Sequence, residues 1–143
     1  MTEMSSIQRA IARCVSKRRE IRAAYLFGSA ATGRMRPDSD LDVALLLARP
    51  LDARRSLAYR LKLMTDLGAA LHRSDVDVVI LNDVPPLLAH RVLSKGKLVF
   101  ERSASDRVRF QVRIAGLYAD LVPMYETQIR YLKAHAREGR LRG

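Results

Sequence analysis

Apolar residues in this sequence form four short continuous runs. Residues 21–27, 41–47 and 75–81 are dominated by aliphatic side chains, and a shorter run covers residues 97–100. Turn-forming residues such as Gly28, Pro50 and Gly96 lie at or close to the ends of these runs. Runs of this length between turn signals predict buried β-strands.

Around these runs, apolar residues recur at three- and four-residue steps, which predicts amphipathic helices. Residues 5–8 have the spacing of a capping box, so a first helix is expected over residues 6–19. Further helices are expected over residues 52–72, 85–94 and about 105–136, and Pro123 is expected to kink or divide the last one. The buried stripe of the second helix is predicted to consist of Leu57, Leu61, Met64, Leu67 and Leu71.

Alternating strands and helices predict an α/β (α+β) sandwich in which helices pack against one small sheet. No repeat, low-complexity stretch or linker interrupts the chain, so residues 1–143 are assigned to one domain. Its core is expected over about residues 20–100, followed by a C-terminal helical segment over about 105–137. This last helix carries two apolar stripes, and the second stripe packs either on the chain's own core or on a partner.

Composition adds a strong positive charge to this picture. The chain of 143 residues has 26 Lys and Arg against 15 Asp and Glu, a formal net charge of +11. Such a charge favours polyanions, nucleotide phosphates or an acidic partner, but the arginines are dispersed, and a solvated basic surface explains them equally well. Without an apolar leader or spanning run, a cytoplasmic protein is expected. The single cysteine, Cys14, is expected to pack in the first helix.

The junction after the first strand has the chemistry of a phosphate site. Gly28 has no side chain to block close approach, Ser29 supplies a hydroxyl, and backbone N–H groups open the following turn. Ten residues later, Asp40 and Asp42 lie on the same face of the second strand, because side chains alternate with period two. These two carboxylates can share a metal ion.

A third carboxylate, Asp77, comes from the next apolar strand and can converge on the first two. Three carboxylates around a hard cation describe a magnesium site. An isolated Asp-x-Asp is more often a turn cap followed by a polar strand position, but the complete pattern favours the metal site. Asp75 shares a face with Asp77 and is better interpreted as a solvated strand end.

The pattern of Gly28-Ser29, ten residues, Asp40-x-Asp42 and a later strand aspartate resembles the signature of the polymerase β-type nucleotidyltransferases. Within that superfamily, the chain is most similar to the minimal nucleotidyltransferases, or MNT domains. The resemblance implies a polymerase β-like fold, with a small mixed sheet flanked by helices and a long C-terminal helical segment.

Two positions depart from the commonest MNT signature. Ala30 and Thr32 stand where arginine is frequent. Arg34 and Arg36 are therefore candidates to supply the phosphate contacts that these positions lack.

The resemblance also implies a role for each site residue. Gly28 and Ser29 would bind the triphosphate of ATP, the nucleotide substrate. Asp40 and Asp42 would hold two Mg²⁺ ions, for which Mn²⁺ can substitute. Asp77 would help to bind the catalytic metal and activate the acceptor.

The same resemblance implies a biological role. MNT-type antitoxins transfer AMP from ATP onto a tyrosine of a HEPN-domain toxin ribonuclease, which they also bind. The C-terminal helix is a candidate surface for such a hetero-oligomer or for a homo-oligomer.

Two other function classes stay open at this point. One is a transferase that modifies a small hydroxyl compound, as aminoglycoside nucleotidyltransferases do. The other is a non-catalytic antitoxin or nucleic-acid adaptor, which the positive charge favours and the intact carboxylates oppose. A DNA polymerase is least compatible, because 143 residues leave no room for template-holding segments.

Overall fold

A computed structural model describes residues 3–28, Ala31 and residues 40–137 of the chain. Three helices and four strands cover the described residues up to Glu101, close to the ranges that the apolar pattern predicts. In chain order the elements are α1 (Glu3–Ser16), β1 (Ile21–Phe27), β2 (Leu41–Leu47), α2 (Ala53–Leu71), β3 (Val76–Ile80), α3 (Pro86–Lys95), β4 (Lys97–Glu101) and α4 (Ala104–Arg137).

The four strands form one mixed sheet in the order β3-β2-β1-β4. β1 pairs antiparallel with both β2 and β4, whereas β2 and β3 run parallel. The N-terminal ends of β2 and β3 therefore meet the C-terminal end of β1 at one edge of the sheet. This mixed sheet with flanking helices confirms the predicted α+β fold class.

Each face of the sheet is covered by two helices. One apolar cluster joins Ile11 of α1 and Leu63 and Leu67 of α2 to the sheet. The second cluster joins Ala89 and Val92 of α3, with Phe110 and Ile114 of α4, to the opposite face. Both faces are thus dry, which explains why β1 and β2 are nearly continuous apolar runs.

The first helix begins and ends three residues earlier than its predicted bounds. It starts at Glu3, so the capping-box interpretation of residues 5–8 is wrong. Its end is fixed by Arg102, whose guanidinium donates to the backbone oxygens of Ser16, Arg18 and Ile21. Cys14 packs against the first apolar cluster, as expected.

The second helix agrees with its predicted bounds to within one residue at each end, but its buried stripe is only partly the predicted one. The Asp52 side chain caps its first turn by accepting from the N–H of Arg55, and His72 ends it in a left-handed conformation. Leu57 and Leu61, predicted to be buried, are more than half exposed. Leu67 is buried as predicted, and Met64 and Leu71 are partly buried against the first apolar cluster. Ser56 and Leu63 are buried in place of Leu57 and Leu61, so the stripe is rotated toward β3 and α1.

The last helix is continuous through Pro123, so the prediction that proline divides it is wrong. Its 34 residues correspond to about 51 Å at 1.5 Å per residue. Only Phe110 and Ile114 of this helix are buried, which leaves its C-terminal half on the surface. Among the described residues, no helix is both long enough and apolar enough to span a membrane.

Candidate active site

The turn that follows β1 requires a glycine. Gly28 has a φ of +69°, in the left-handed region, and its carbonyl accepts from the N–H of Ala31 at 3.2 Å. A Cβ atom placed on Gly28 would lie 2.5 Å from Oδ2 of Asp42. The Asp42 carboxylate therefore lies against the backbone of this turn, and a larger residue at this position would have to displace it.

The strand register places two of the predicted carboxylates side by side. Asp42 of β2 is the parallel partner of Asp77 of β3 and the antiparallel partner of Phe27 of β1. Asp40 precedes β2 by one residue and is exposed. The sheet edge thus gathers Gly28, Asp40, Asp42 and Asp77 from three strands.

This crowding shows in the electrostatics of Asp42. Burial raises the pKa of its carboxyl above the ordinary value, and the negative charges of Asp77 and Asp40 raise it further. Ionised Asp42 is therefore disfavoured unless positive charge approaches. A divalent cation is the partner that carboxylate oxygens at such an edge would accept.

The side chain of Asp77 contacts a cation that the sequence patterns do not single out. Its Oδ1 lies 3.8 Å from Nη2 of Arg60, which comes from α2, and its side chain is about half exposed. The Nε atom of Arg60 donates to the backbone oxygen of Val78 at 2.7 Å. Helical periodicity cannot show which arginine of α2 reaches β3, so this contact is visible only in the three-dimensional structure.

Asp75 is held outside this group. Both oxygens of its carboxylate accept from Arg73, at 2.8 and 2.6 Å. This hydrogen bonding lowers the pKa of Asp75 below its ordinary value. Its backbone oxygen accepts from the N–H of Leu41 at 2.9 Å. Asp75 is therefore a structural end of its strand, which agrees with the interpretation from the sequence.

The remaining site predictions are not decided by this geometry. Ser29, Arg34 and Arg36 lie outside the described residues. Over the part of the chain that the structure describes, no three His, Cys, Asp or Glu side chains form a group that could hold a metal ion. The metal site therefore stays a prediction, which rests on the register of the carboxylates and the pKa of Asp42.

Replacing Gly28 with alanine is expected to damage both folding and activity. A left-handed non-glycine residue costs about 1–3 kcal/mol, and the added methyl would displace the Asp42 carboxylate. Urea unfolding should show this loss of stability, and calorimetry should show weakened ATP binding. Gly116→Ala is the matched control, because a Cβ there meets nothing within 4 Å and alanine favours the helix. Normal stability and ATP binding in Gly28→Ala would contradict the assignment.

Comparison with known proteins identifies the class that this fold and site define. The profile of the family described as Polymerase beta, Nucleotidyltransferase matches residues 9–105, more than half of the chain. The chain therefore belongs to the polymerase beta nucleotidyltransferase family, and it is a nucleotidyltransferase. This confirms the resemblance inferred from the Gly28-Ser29 and aspartate pattern.

Individual relatives narrow the similarity further. The protein adenylyltransferase MntA of Shewanella oneidensis is 35% identical over 99 residues, which cover 68% of this chain and 66% of that protein. The protein adenylyltransferase MntA of Aphanizomenon flos-aquae is 25% identical over 133 residues, which cover 85% of this chain and 84% of that protein.

Solved structures give the same result at the level of the fold. A crystal structure of a toxin–antitoxin with AMP-PNP superimposes with a TM-score of 0.74 and 28% identity over 88% of this chain and 98% of its own. A structure of tri-AMPylated Shewanella oneidensis HEPN toxin in complex with MNT antitoxin has a TM-score of 0.71 and 25% identity, covering 91% of this chain and 98% of its own.

Proposed function

We propose that this protein transfers AMP from ATP onto a tyrosine hydroxyl of a HEPN-domain toxin and thereby acts as its antitoxin. One observation carries the chemical part of this proposal: Asp42 and Asp77 are direct neighbours in the sheet, and Gly28 lies against Asp42. The relatives that are protein adenylyltransferases support the choice of AMP and of a protein acceptor. The reaction would take place in the cytoplasm, where ATP is supplied.

The proposed transfer of AMP is a single displacement at the α-phosphorus of ATP. The acceptor oxygen bonds to the α-phosphorus of ATP while the bond to the bridging oxygen breaks, and pyrophosphate leaves. When bound, a pair of Mg²⁺ ions would stabilise charge on the attacking and leaving oxygens. Asp40, Asp42 and Asp77 would hold these ions, since carboxylate oxygens are the ligands that Mg²⁺ prefers.

Each residue of the site has its own part in this chemistry. Gly28, together with Ser29, Arg34 and Arg36, is proposed to bind the phosphates. The half-exposed carboxylate of Asp77 is accessible to an acceptor and is proposed to help take up the proton of its hydroxyl.

The direct test is transfer of label from α-labelled ATP, with Mg²⁺, to a purified HEPN-domain protein. Label on the protein that disappears when its acceptor tyrosine is replaced by phenylalanine would support the proposal. If the HEPN-domain protein is replaced by an aminoglycoside, transfer of label to that compound would favour a small-molecule transferase instead. Tight binding of the HEPN protein without any label would favour a non-catalytic antitoxin.

The surface of α4 is the proposed site for the partner. Apolar side chains in its C-terminal half are about half exposed, among them Met124, Ile129 and Leu132. Several solvent-exposed apolar residues close together on one helix are typical of a protein interface. Phe110, in the N-terminal half of the same helix, is buried in the second apolar cluster and is not part of this surface.

Changing Met124, Ile129 and Leu132 together to glutamine is expected to weaken binding of the HEPN protein at least about tenfold, the equivalent of 1.4 kcal/mol. The fold should persist, because these side chains are outside both apolar clusters. Calorimetric titration measures the affinity. Leu57→Gln with Leu61→Gln makes the same chemical change on exposed positions of α2 and should leave the affinity unchanged. Equal affinities of the α4 variant and the unmodified protein would exclude this surface.

A further inference from the structure

Arg60 contacts both the backbone of the outermost strand, β3, and one of the site carboxylates. Asp77 and Val78 are successive residues of β3, the outermost strand on one side of the sheet. Two different nitrogens of the Arg60 guanidinium contact them: Nε donates to the Val78 oxygen at 2.7 Å, and Nη2 lies 3.8 Å from Asp77 Oδ1. The planar fork of the guanidinium is therefore fixed to the backbone on one side and directed at the carboxylate on the other.

The contact between Arg60 and Asp77 lies beside two other carboxylates, so it differs from an isolated ion pair on the surface. Asp42 and Asp77 are direct neighbours in the sheet, and Asp40 lies two residues before Asp42. Among the ion pairs between described residues, Arg60 supplies the only cation that contacts any of these three carboxylates. An isolated exposed pair contributes little to stability. A cation anchored to the backbone beside repelling carboxylates can instead fix where one of them points.

We propose that Arg60 is a positioning residue for nucleotidyl transfer, which acts by holding the Asp77 carboxylate beside Asp42. This inference rests on the proposed role of Asp77. In this proposal Arg60 acts through Asp77 and not directly on the nucleotide or the acceptor. Its guanidinium limits the rotation of a side chain that is about half exposed, so that Asp77 is oriented before the substrates bind.

Lysine is expected to replace Arg60 poorly. An ammonium group is a single point of charge on a flexible stem, whereas the guanidinium presents Nε and Nη2 in a fixed plane. Arg60→Lys keeps the charge but cannot reach the Val78 oxygen and Asp77 with the same geometry. Arg60→Gln removes the charge as well. A similar loss of activity in both variants would show that orientation, and not charge alone, is the contribution of Arg60.

The kinetic test uses α-labelled ATP and a HEPN-domain protein as acceptor under single-turnover conditions. Arg60→Gln and Arg60→Lys should slow transfer by about tenfold to 10²-fold at saturating ATP, as small misplacements of reacting groups do. The dissociation constant for ATP with Mg²⁺ should change less than about twofold. Lys62→Gln removes a positive charge from the exposed surface of the same helix and is the control that should keep the full rate.

A double-mutant cycle separates action through Asp77 from a merely structural effect. If Arg60 acts through Asp77, Arg60→Gln should cause no further slowing in the Asp77→Asn background. An equal fold-loss in both backgrounds would overturn the proposal. Unfolding in urea shows in parallel whether loss of the bond to Val78 has destabilised β3, in which case the rate is compared only where each variant is folded.

A spectroscopic measurement tests the contact without relying on activity. In ¹⁵N-labelled protein, the Nε–H resonance that disappears in Arg60→Lys belongs to Arg60. It should shift in Asp77→Asn, remain in place in Lys62→Gln, and broaden when Mn²⁺ and ATP are added, because the proposed metal would lie close to it. No shift in Asp77→Asn would reject the contact.

The two proposals fail in different ways. If Asp77→Asn transfers AMP at the unmodified rate, the proposed function of Asp77 is wrong. If Asp77→Asn is inactive while both Arg60 variants are fully active, only the inference about Arg60 is wrong.

Discussion

Replacing Asp42 with asparagine is expected to abolish nucleotidyl transfer and, at the same time, to stabilise the folded protein. The first effect follows because asparagine keeps the size of the side chain but removes a charged metal ligand, and such losses cost at least about 10²-fold in rate. The second follows from the pKa of Asp42, which burial and the neighbouring charges of Asp77 and Asp40 raise. A raised pKa means that ionised Asp42 destabilises the fold.

The raised pKa of Asp42 makes the stability of the fold depend on pH. Below the ordinary aspartate pKa, Asp42 is protonated in both the folded and the unfolded chain, so its effect on stability is absent. As the pH rises through the raised pKa, the free energy of unfolding of the protein falls. In EDTA, urea unfolding should therefore show the stability advantage of Asp42→Asn at neutral pH, and this advantage should shrink on acidification.

Asp75→Asn is the contrasting variant, because the same chemical change is expected to have the opposite sign. The hydrogen bonds from Arg73 lower the pKa of Asp75, so its ionised form stabilises the fold above the ordinary pKa. The loss in Asp75→Asn should be small, since the pair lies near the surface. Lower stability of Asp42→Asn than of the unmodified protein in EDTA would show that the carboxylates at the sheet edge are not under electrostatic strain.

The bounds of β1 and β2 agree with the sequence prediction because both strands are buried on both faces. Their seven-residue apolar runs end where Gly28 and Asp40 introduce a turn and a charge. The run at residues 75–81 is longer than β3 at both ends. Asp75 precedes the regular strand, and its carboxylate accepts from Arg73. Leu81 is buried, but it contributes a hydrogen bond to Leu45 beyond the regular strand.

Other features depend on contacts between distant segments, which periodicity does not encode. Alternation correctly puts Asp77 on a face that can converge on Asp42, but only the parallel pairing of β2 and β3 makes the two direct neighbours. The same limit explains Leu57 and Leu61: a helical stripe shows that one side is apolar, not how far the helix is rotated. The contact of Arg60 with Asp77 and Val78 spans 17 and 18 residues and leaves no local pattern.

Asp77→Asn is expected to retain ATP and Mg²⁺ binding but to lose transfer, by about 10²-fold or more. The reason is a division of work at the sheet edge. Gly28, Ser29, Asp40 and Asp42 are proposed to bind the phosphates and their accompanying metal, contacts already made in the ground state. Asp77 belongs to β3, and its proposed task is to stabilise charge that develops on the acceptor oxygen in the transition state.

Two measurements made side by side test this separation. Calorimetry compares ATP and Mg²⁺ binding of the unmodified protein and Asp77→Asn, and single-turnover labelling of a HEPN-domain protein compares their rates. Asp75→Asn is the matched control, since it makes the same change two residues away on a carboxylate that Arg73 holds outside the site. It should bind ATP and transfer AMP normally. Loss of ATP binding in Asp77→Asn would contradict the division of work, because the carboxylate would then be needed for the nucleotide itself; transfer at the full rate would make Asp77 an ordinary strand residue.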